Sequence, residues 1–382
     1  MTPDRVRSGP PAPLPHARQS FAAGRLPTTG RTCADERERR RHARPCGPGP
    51  PAPPTDHPPR RTAFGPARSA AAPNAAAEPG RRSFPEPAAA IRQEQLVSND
   101  PGGQPKVLGW DAAGTVVAVG EEVELFEVGD EVFYAGAIDR PGTNARFHTV
   151  DERIVGRKPT TLSFAEAAAL PLTSLTAWEG LFERLGLHDG ALEQTGTLLV
   201  TAAAGGVGAM VAQLARALTS LTVIGTASRP ESVEFARRMG ATHVVDHREP
   251  LAGQVLALAP EGVDHVFSTV ATDRNLADYA EVLKPFGGLV AIDDFGPVEI
   301  GLLKSKSISF HWEFMFTRSL HRTPDQAVQH HILNQIARLV DAGILTTTAT
   351  TDLGTVSAAH LREAHRVMES GRAIGKITLT GF

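Results

Sequence analysis

Cysteine is nearly absent: the 382 residues contain only Cys33 and Cys46, and both fall within the first 95 positions. The rest of the chain can therefore build neither a disulfide framework nor a thiolate metal cluster, which fits a reducing compartment. Long apolar runs are also missing. None reaches the roughly 18 residues needed to cross a bilayer, and no charged segment followed by a compact apolar one opens the chain. These absences are read as a globular cytoplasmic protein with no membrane span. A basic face for nucleic acid is lacking too. The first 95 residues hold about 16 arginines against about 8 acids, so the formal net charge of -3 conceals a distinctly acidic remainder.

The first 95 residues are crowded with proline, arginine, alanine and glycine, and hold roughly two-thirds of the 30 prolines with almost no periodic apolar pattern. Such a stretch cannot bury enough apolar surface to offset the entropy of ordering, and it reads as a disordered extension. A transit peptide fits less well, because prolines as dense as Pro48, Pro50, Pro51, Pro53 and Pro54 would break an amphipathic helix. A further reading stays open, in which this stretch reflects a misassigned start or a shifted reading frame.

The texture changes after Val107. Short β-like runs punctuated by glycine are expected at 113–119, 131–134 and 146–150, as in part of a small barrel. Helices are expected at 164–170, capped by Ser163, and at 173–185. Strict alternation follows, with strands at 197–201, 222–226, 243–245, 265–268, 288–292 and 307–316, and helices at 207–218, 232–239, 251–257 and 276–283. Strand and helix taking turns in this way imply an α/β fold with a parallel, doubly wound sheet. In the last of those strands Phe310, Trp312, Phe314 and Phe316 fall on one face and His311, Glu313 and Met315 on the other. Residues 373–380 read as a closing strand.

The segment that carries chemistry is Leu198-Leu199-Val200-Thr201-Ala202-Ala203-Ala204-Gly205-Gly206-Val207-Gly208, a buried strand running into a glycine-rich turn and then a helix. A dinucleotide pyrophosphate needs such a place. Glycines let the backbone approach the phosphate oxygens, and the helix start offers unpaired N–H groups and a positive dipole end. Ala204, Gly205, Gly206, Val207 and Gly208 are the expected contacts. The end of the next strand separates the two nicotinamide cofactors, since an acid there would repel the extra phosphate of NADPH. The sequence is Thr226-Ala227-Ser228-Arg229, with no acid before Glu231. Ser228 offers a hydroxyl and Arg229 a fork suited to phosphate, which favours NADPH.

From Ala113 to Thr380 the chain resembles the medium-chain dehydrogenase/reductase superfamily, most closely its quinone-oxidoreductase and zinc-type alcohol dehydrogenase-like members. The resemblance rests on Gly109-Trp110-Asp111-Ala112-Ala113-Gly114-Thr115-Val116-Val117-Ala118-Val119-Gly120, Val128-Gly129-Asp130-Glu131-Val132, Ala168-Ala169-Leu170-Pro171-Leu172 with Thr176-Ala177-Trp178, the glycine-rich turn, and Gly375-Lys376. It implies a GroES-like barrel for substrate, a Rossmann domain for cofactor, a cleft between them, and a return of the strands near 348–353 and 373–380 to the barrel. The expected division is a leader at 1–95, a partial GroES-like catalytic domain at 96–172, a Rossmann NADP-binding domain at 173–342, and the return at 343–382. Two departures stand out. Zinc-dependent alcohol dehydrogenases carry Gly-His-Glu where this chain has Gly109-Trp110-Asp111, together with ligand cysteines that are missing here. No zinc site is expected, because an indole cannot ligate zinc and Asp111 alone cannot replace three ligands. The other departure is that the first half of the barrel has no counterpart before about Ser98.

Without a metal to polarise the acceptor, hydride from the nicotinamide has to reach a carbon that is already electrophilic, such as that of a quinone or an enone. Thr173 and Thr176 are candidate contacts for the nicotinamide end, and Tyr134 a candidate donor to the nascent oxyanion. Asp246 and His247 after the third strand, Val270 after the fourth, and 292–295 after the fifth, Phe295 included, lie at carboxyl ends of parallel strands, where such sheets bind ligands. Lys376 resembles a family cofactor contact. Neither a serine-histidine-acid set nor a pair of carboxylates stands out. Resemblance also implies a homodimer joined by edge strands, with 307–316 as the edge. The expectation is an NADPH-dependent reductase of a small-molecule substrate. Its rivals are a nucleotide-binding protein without turnover and a zinc-dependent alcohol dehydrogenase.

Overall fold

The computed structural model describes residues 88–90, 106–188 and 195–381, all within the unit Glu78–Phe382. In chain order it begins with β1 (Ala88–Ala90), β2 (Ala112–Thr115), β3 (Glu131–Tyr134) and β4 (Val155–Arg157). Helices α1 (Phe164–Ala168) and α2 (Pro171–Trp178) follow. Then come β5 (Thr195–Val200), α3 (Gly206–Leu218), β6 (Ser220–Thr226), α4 (Pro230–Arg238), β7 (His243–Val245), α5 (Leu251–Leu258), β8 (Val263–Ser268), α6 (Thr272–Val282), β9 (Leu283–Ala291) and β10 (Ser309–Trp312). The chain continues through α7 (Thr317–His321), α8 (Val328–Asp341), β11 (Ala349–Thr355), α9 (Ala358–Glu369) and β12 (Lys376–Thr380).

One six-stranded sheet runs β10-β9-β8-β5-β6-β7 with every pairing parallel. Its central strands are buried on both faces, and the alternation of side chains divides them between two cores. Leu198, Val200, Val223, Phe267 and Val290 enter the core shared with α2, α3 and α8. Their neighbours Leu199, Ile224, Val266 and Leu289 enter the core covered by α5 and α6. The strand order reverses beside β5, which makes the crevice at the carboxyl ends of β5 and β8 the ligand position of such a sheet.

The other sheet runs β11-β12-β1-β2-β3-β4. Antiparallel pairing sets Ala112 against Tyr134 and Phe133 against Gly156. β11 and β12 return from beyond residue 340 and join it, as the resemblance implied. β1 lies antiparallel between β12 and β2. This three-residue strand falls within the stretch expected to be leader; the remainder of 1–95 lies outside the described residues.

Other expectations change for local reasons. The stretch 146–150 is not a strand. The amides of Gly142, Thr143 and Asn144 bond to carbonyls of Val107, Gly109 and Leu108, and the chain then leaves the sheet until a 3-10 turn at Glu152–Ile154 delivers β4. β2 ends at Thr115 rather than 119, in a turn closed by Val116 and Asp130. α2 starts two residues early because Pro171 suits the first helical position, and from Glu179 to Arg184 it widens into a π-helix. The strand expected over 307–316 is cut to Ser309–Trp312, since Ser307 is left-handed (φ 51) and Phe314 turns into α7. Helices α8 and α9 were not anticipated. Ser163 does cap α1, with Glu166 completing a reciprocal capping box.

Candidate active site

The glycine-rich turn is shaped by its neighbours. β6 reaches across to hold it, with Thr226 accepting from the Ala202 amide at its hydroxyl (2.9 Å) and from the Ala203 amide at its carbonyl (3.0 Å). This leaves Ala202 left-handed at φ 45. Gly205 then occupies the N-cap of α3 with no side chain to satisfy the first amides, so the helix start is open to an anion. Gly208 has to be glycine: a Cβ there would lie 2.4 Å from the Ala202 carbonyl oxygen. At Gly206 a Cβ would lie 2.9 Å from Lys376 Cδ and 3.1 Å from Thr173 Cγ2.

Those contacts bring three distant parts of the chain together. The Gly375 amide donates to the Ala204 carbonyl (2.8 Å), pinning β12 to the turn. Lys376 Nζ then donates to Asp111 Oδ2 at 2.7 Å, with both side chains almost fully buried. The other oxygen of Asp111 accepts the Leu172 amide (2.7 Å) at the start of α2. Asp111 thus joins the barrel, the connecting helix and the closing strand beside the turn.

Thr173 and Thr176 lie one turn apart on the buried length of α2. Their hydroxyl protons are taken by their own helix, at Leu170 O (3.0 Å) and Leu172 O (2.8 Å). The Thr173 methyl faces the turn at Gly206. Tyr134 is placed differently. Its ring packs in the barrel's own apolar cluster with Ala112, Phe126, Val132 and Val155. Its hydroxyl is 3.0 Å from His148 Nδ1, and His148 Nε2 is 3.0 Å from the Pro141 carbonyl. A carbonyl only accepts, so Nε2 carries the hydrogen; with the imidazole neutral, Tyr134 must donate to Nδ1. Burial pushes the His148 pKa down, favouring this neutral form, and pushes the Tyr134 hydroxyl well up. The one proton of Tyr134 is thereby committed to His148 rather than held ready for an oxyanion. Both residues line a cavity of about 280 Å³ inside the barrel, walled by Val116, Phe126 and Val132.

At the carboxyl end of β6, Ser228 and Arg229 are half-buried. The Arg229 guanidinium donates to the Arg372 carbonyl (2.9 Å) and approaches Glu231 (3.5 Å). Arg248, which sequence reasoning passed over, donates to the Ser228 carbonyl (2.8 Å) while paired with Asp246. Its guanidinium holds the Asp246 carboxyl down at about 2. His247 is exposed beside it, and Val270 is exposed past the end of β8. Phe295 is taken up elsewhere: its ring stacks on Trp312 at 4.7 Å and meets Phe310 edge-on.

A carboxylate pair does exist, contrary to the sequence reading. Glu179 and Glu313, 134 residues apart, are both buried, and each has its own arginine: Arg318 meets Glu179 at 2.9 Å and Arg184 meets Glu313 at 2.8 Å. Burial raises both carboxyl pKa values, that of Glu179 further with Glu313 beside it.

Residues 89–178 match the alcohol dehydrogenase GroES-like domain, and 239–379 match the zinc-binding dehydrogenase family. A zinc-type alcohol dehydrogenase-like protein of Staphylococcus aureus is 40% identical over 277 residues, 72% of this chain and 82% of that one. A solved Rhizobium etli structure, described as a zinc-dependent alcohol dehydrogenase protein, is 50% identical with a TM-score of 0.73, covering 78% of this chain and 88% of that one. Escherichia coli quinone oxidoreductase, solved with NADPH, is 25% identical with a TM-score of 0.65, covering 78% and 90%. The zinc that the family name implies does not fit the residues present. The Trp110 indole donates to the Ala137 carbonyl (3.2 Å), both Asp111 oxygens are engaged, and among the described residues no three histidine, cysteine or acidic side chains gather to hold a metal. With two family domains, a parallel nucleotide-type sheet and relatives this close, the chain belongs to the medium-chain dehydrogenase/reductase superfamily and is an oxidoreductase of its zinc-type alcohol dehydrogenase-like group.

Proposed function

We propose that this oxidoreductase uses NADPH to reduce a quinone or another activated carbonyl or alkene, with no zinc ion taking part. The observation that carries the reading is the open start of α3 with Lys376 beside it. Gly205, Gly206, Val207 and Gly208 would present amides to the pyrophosphate and Lys376 a cation, while Ser228, Arg229 and Arg248 would hold the ribose phosphate. When bound, the nicotinamide supplies the hydride. The chain's own part is to orient and to keep water out, with the buried faces of Trp110, Thr173 and Thr176 as one wall. Since residues 110 and 111 offer no open donor to a metal, the acceptor has to be electrophilic itself.

The test is loss of NADPH absorbance with a panel of quinones and enones, NADH serving as control. Turnover favouring NADPH supports the reading, and equal use of NADH sinks the cofactor preference. Arg229→Glu should lower kcat/KM for NADPH by roughly 100-fold, a charge-assisted contact turned into a repulsion, and leave that for NADH within about threefold. A second reading is cofactor binding without turnover. Tight NADPH binding with no acceptor reduced would establish it.

A homodimer through β10 belongs to the same proposal. No strand covers the outer edge of β10 among the described residues, and Trp312 (55% exposed) and Phe314 (44%) stand beside it. Trp312→Lys should convert a dimeric mass by light scattering into a monomeric one; a wild-type monomer would dismiss the dimer.

A further inference from the structure

The loop between β8 and α6 is held from both sides by partners that the fold alone does not require. On one side the Thr269 amide donates to Thr201 Oγ1 (2.7 Å) and the Thr269 hydroxyl to the Thr201 carbonyl (2.8 Å). That reciprocal pair ties the loop to the residue preceding the glycine-rich turn. On the other side, α6 begins after Ala271, which is left-handed at φ 57 and has no side chain with which to cap the helix. Asp293, two residues beyond the end of β9, caps it instead: one carboxylate oxygen accepts the Thr272 amide (3.0 Å), and the other accepts the Thr272 hydroxyl.

The direction of the bonds behind this cap is fixed by counting protons. Thr272 gives its single hydroxyl proton to Asp293, which only accepts, so its oxygen accepts from Ser268 (2.7 Å), and Ser268 accepts in turn from Tyr279 (2.9 Å). Ser268, Thr272 and Tyr279 are fully buried, and burial pushes the Tyr279 hydroxyl up to about 12, which keeps it a donor. A chain of four side chains therefore ends on Asp293 and holds a strained loop whose one exposed member is Val270.

We propose that Asp293 is a positioning residue for the nicotinamide half of the cofactor, a role that rests on the cofactor reading above. The sheet divides the work. Its β5–β6 side takes the pyrophosphate and adenosine, so the carboxyl ends of β8 and β9, where the loop and Asp293 lie, face the other nucleotide. By fixing residues 269–271 in one geometry, Asp293 presents their backbone to the nicotinamide ribose without touching the reacting atoms.

The experiment compares NADPH with 2′,5′-ADP, which carries only the adenosine half, on the full chain and on Asp293→Ala, Asp293→Asn and Thr272→Val. With two bonds to a charged group lost, Asp293→Ala should weaken NADPH about tenfold or more and remove the fluorescence enhancement of bound nicotinamide, while 2′,5′-ADP affinity stays within about twofold. Asp293→Asn, which keeps one acceptor oxygen, should recover part of the loss. Thr272→Val should mimic the alanine variant and guard against a misfolded protein. Unchanged NADPH binding in the variants, or parallel weakening of both ligands, overturns the positioning role and leaves the cofactor reading standing. A wild-type chain that binds neither ligand overturns both.

Discussion

Gly208→Ala should weaken NADPH binding by about 30-fold or more and cost roughly 2–4 kcal/mol of stability, because overpacking here meets backbone rather than a movable side chain. The new methyl would sit 2.4 Å from the Ala202 carbonyl oxygen and 2.9 Å from Ala203 Cα. Neither atom can swing away by changing rotamer. Relief would have to come from the turn, whose Ala202 already occupies a conformation that disfavours an L-residue by about 1–2 kcal/mol. Moving the turn moves the amides at the start of α3, which is where the binding loss arises. Gly205→Ala is the built-in contrast. Its Cβ would be 3.2 Å from Ala202 O at an ordinary φ of -80, so it should bind several-fold better than Gly208→Ala. Cofactor fluorescence titration beside thermal melting checks the pair, and equal affinities for the two variants would contradict the packing argument.

Lys376→Ala should cost about 3–5 kcal/mol, since it removes a buried cation bonded at 2.7 Å to the buried Asp111 carboxylate. Its melting temperature should fall by roughly 10 °C, at about 2–4 °C per kcal/mol for a structure of this size. NADPH affinity should fall as well, through the missing positive charge beside the α3 start. The paired replacement Asp111→Asn with Lys376→Met separates the two effects. The neutral side chains remove both charges of the buried pair, so most of the stability should return, while the affinity loss remains. Stability that fails to return in the double variant would show that the pair matters for shape rather than for charge.

The parallel sheet was legible because both its signals are local: apolar runs of strand length, and glycines spaced for a turn into a helix. The glycine-rich turn into α3 followed from the same stretch, while Lys376 was singled out by resemblance alone. What escaped was set by distance or by competing geometry. Arg248 became visible only when β6 and β7 were side by side, since nothing in its neighbourhood in the chain separates it from a loop arginine. Glu179 and Glu313 read as ordinary positions of a helix and a strand, and only the packing of α2 against the segment after β10 brings them together. Phe295 was placed correctly at a strand end, but the exposed edge of β10 offered it Phe310 and Trp312 to stack on, a tertiary preference that no local pattern announces. The expected strand at 146–150 failed because the preceding amides found partners at 107–109.

Asp111 and Lys376 are 265 positions apart, and the pair they form is also the latch between turn, barrel and connecting helix. On the ribosome this sets an order of events. A nascent chain that has emerged as far as β9 already contains the glycine turn, α3 and the acid, but not the lysine that meets it. Closing so long a loop is slow, and until it closes the barrel side of α2 is held by only part of its native bonds. The latch is therefore expected to be among the last parts of the site to form.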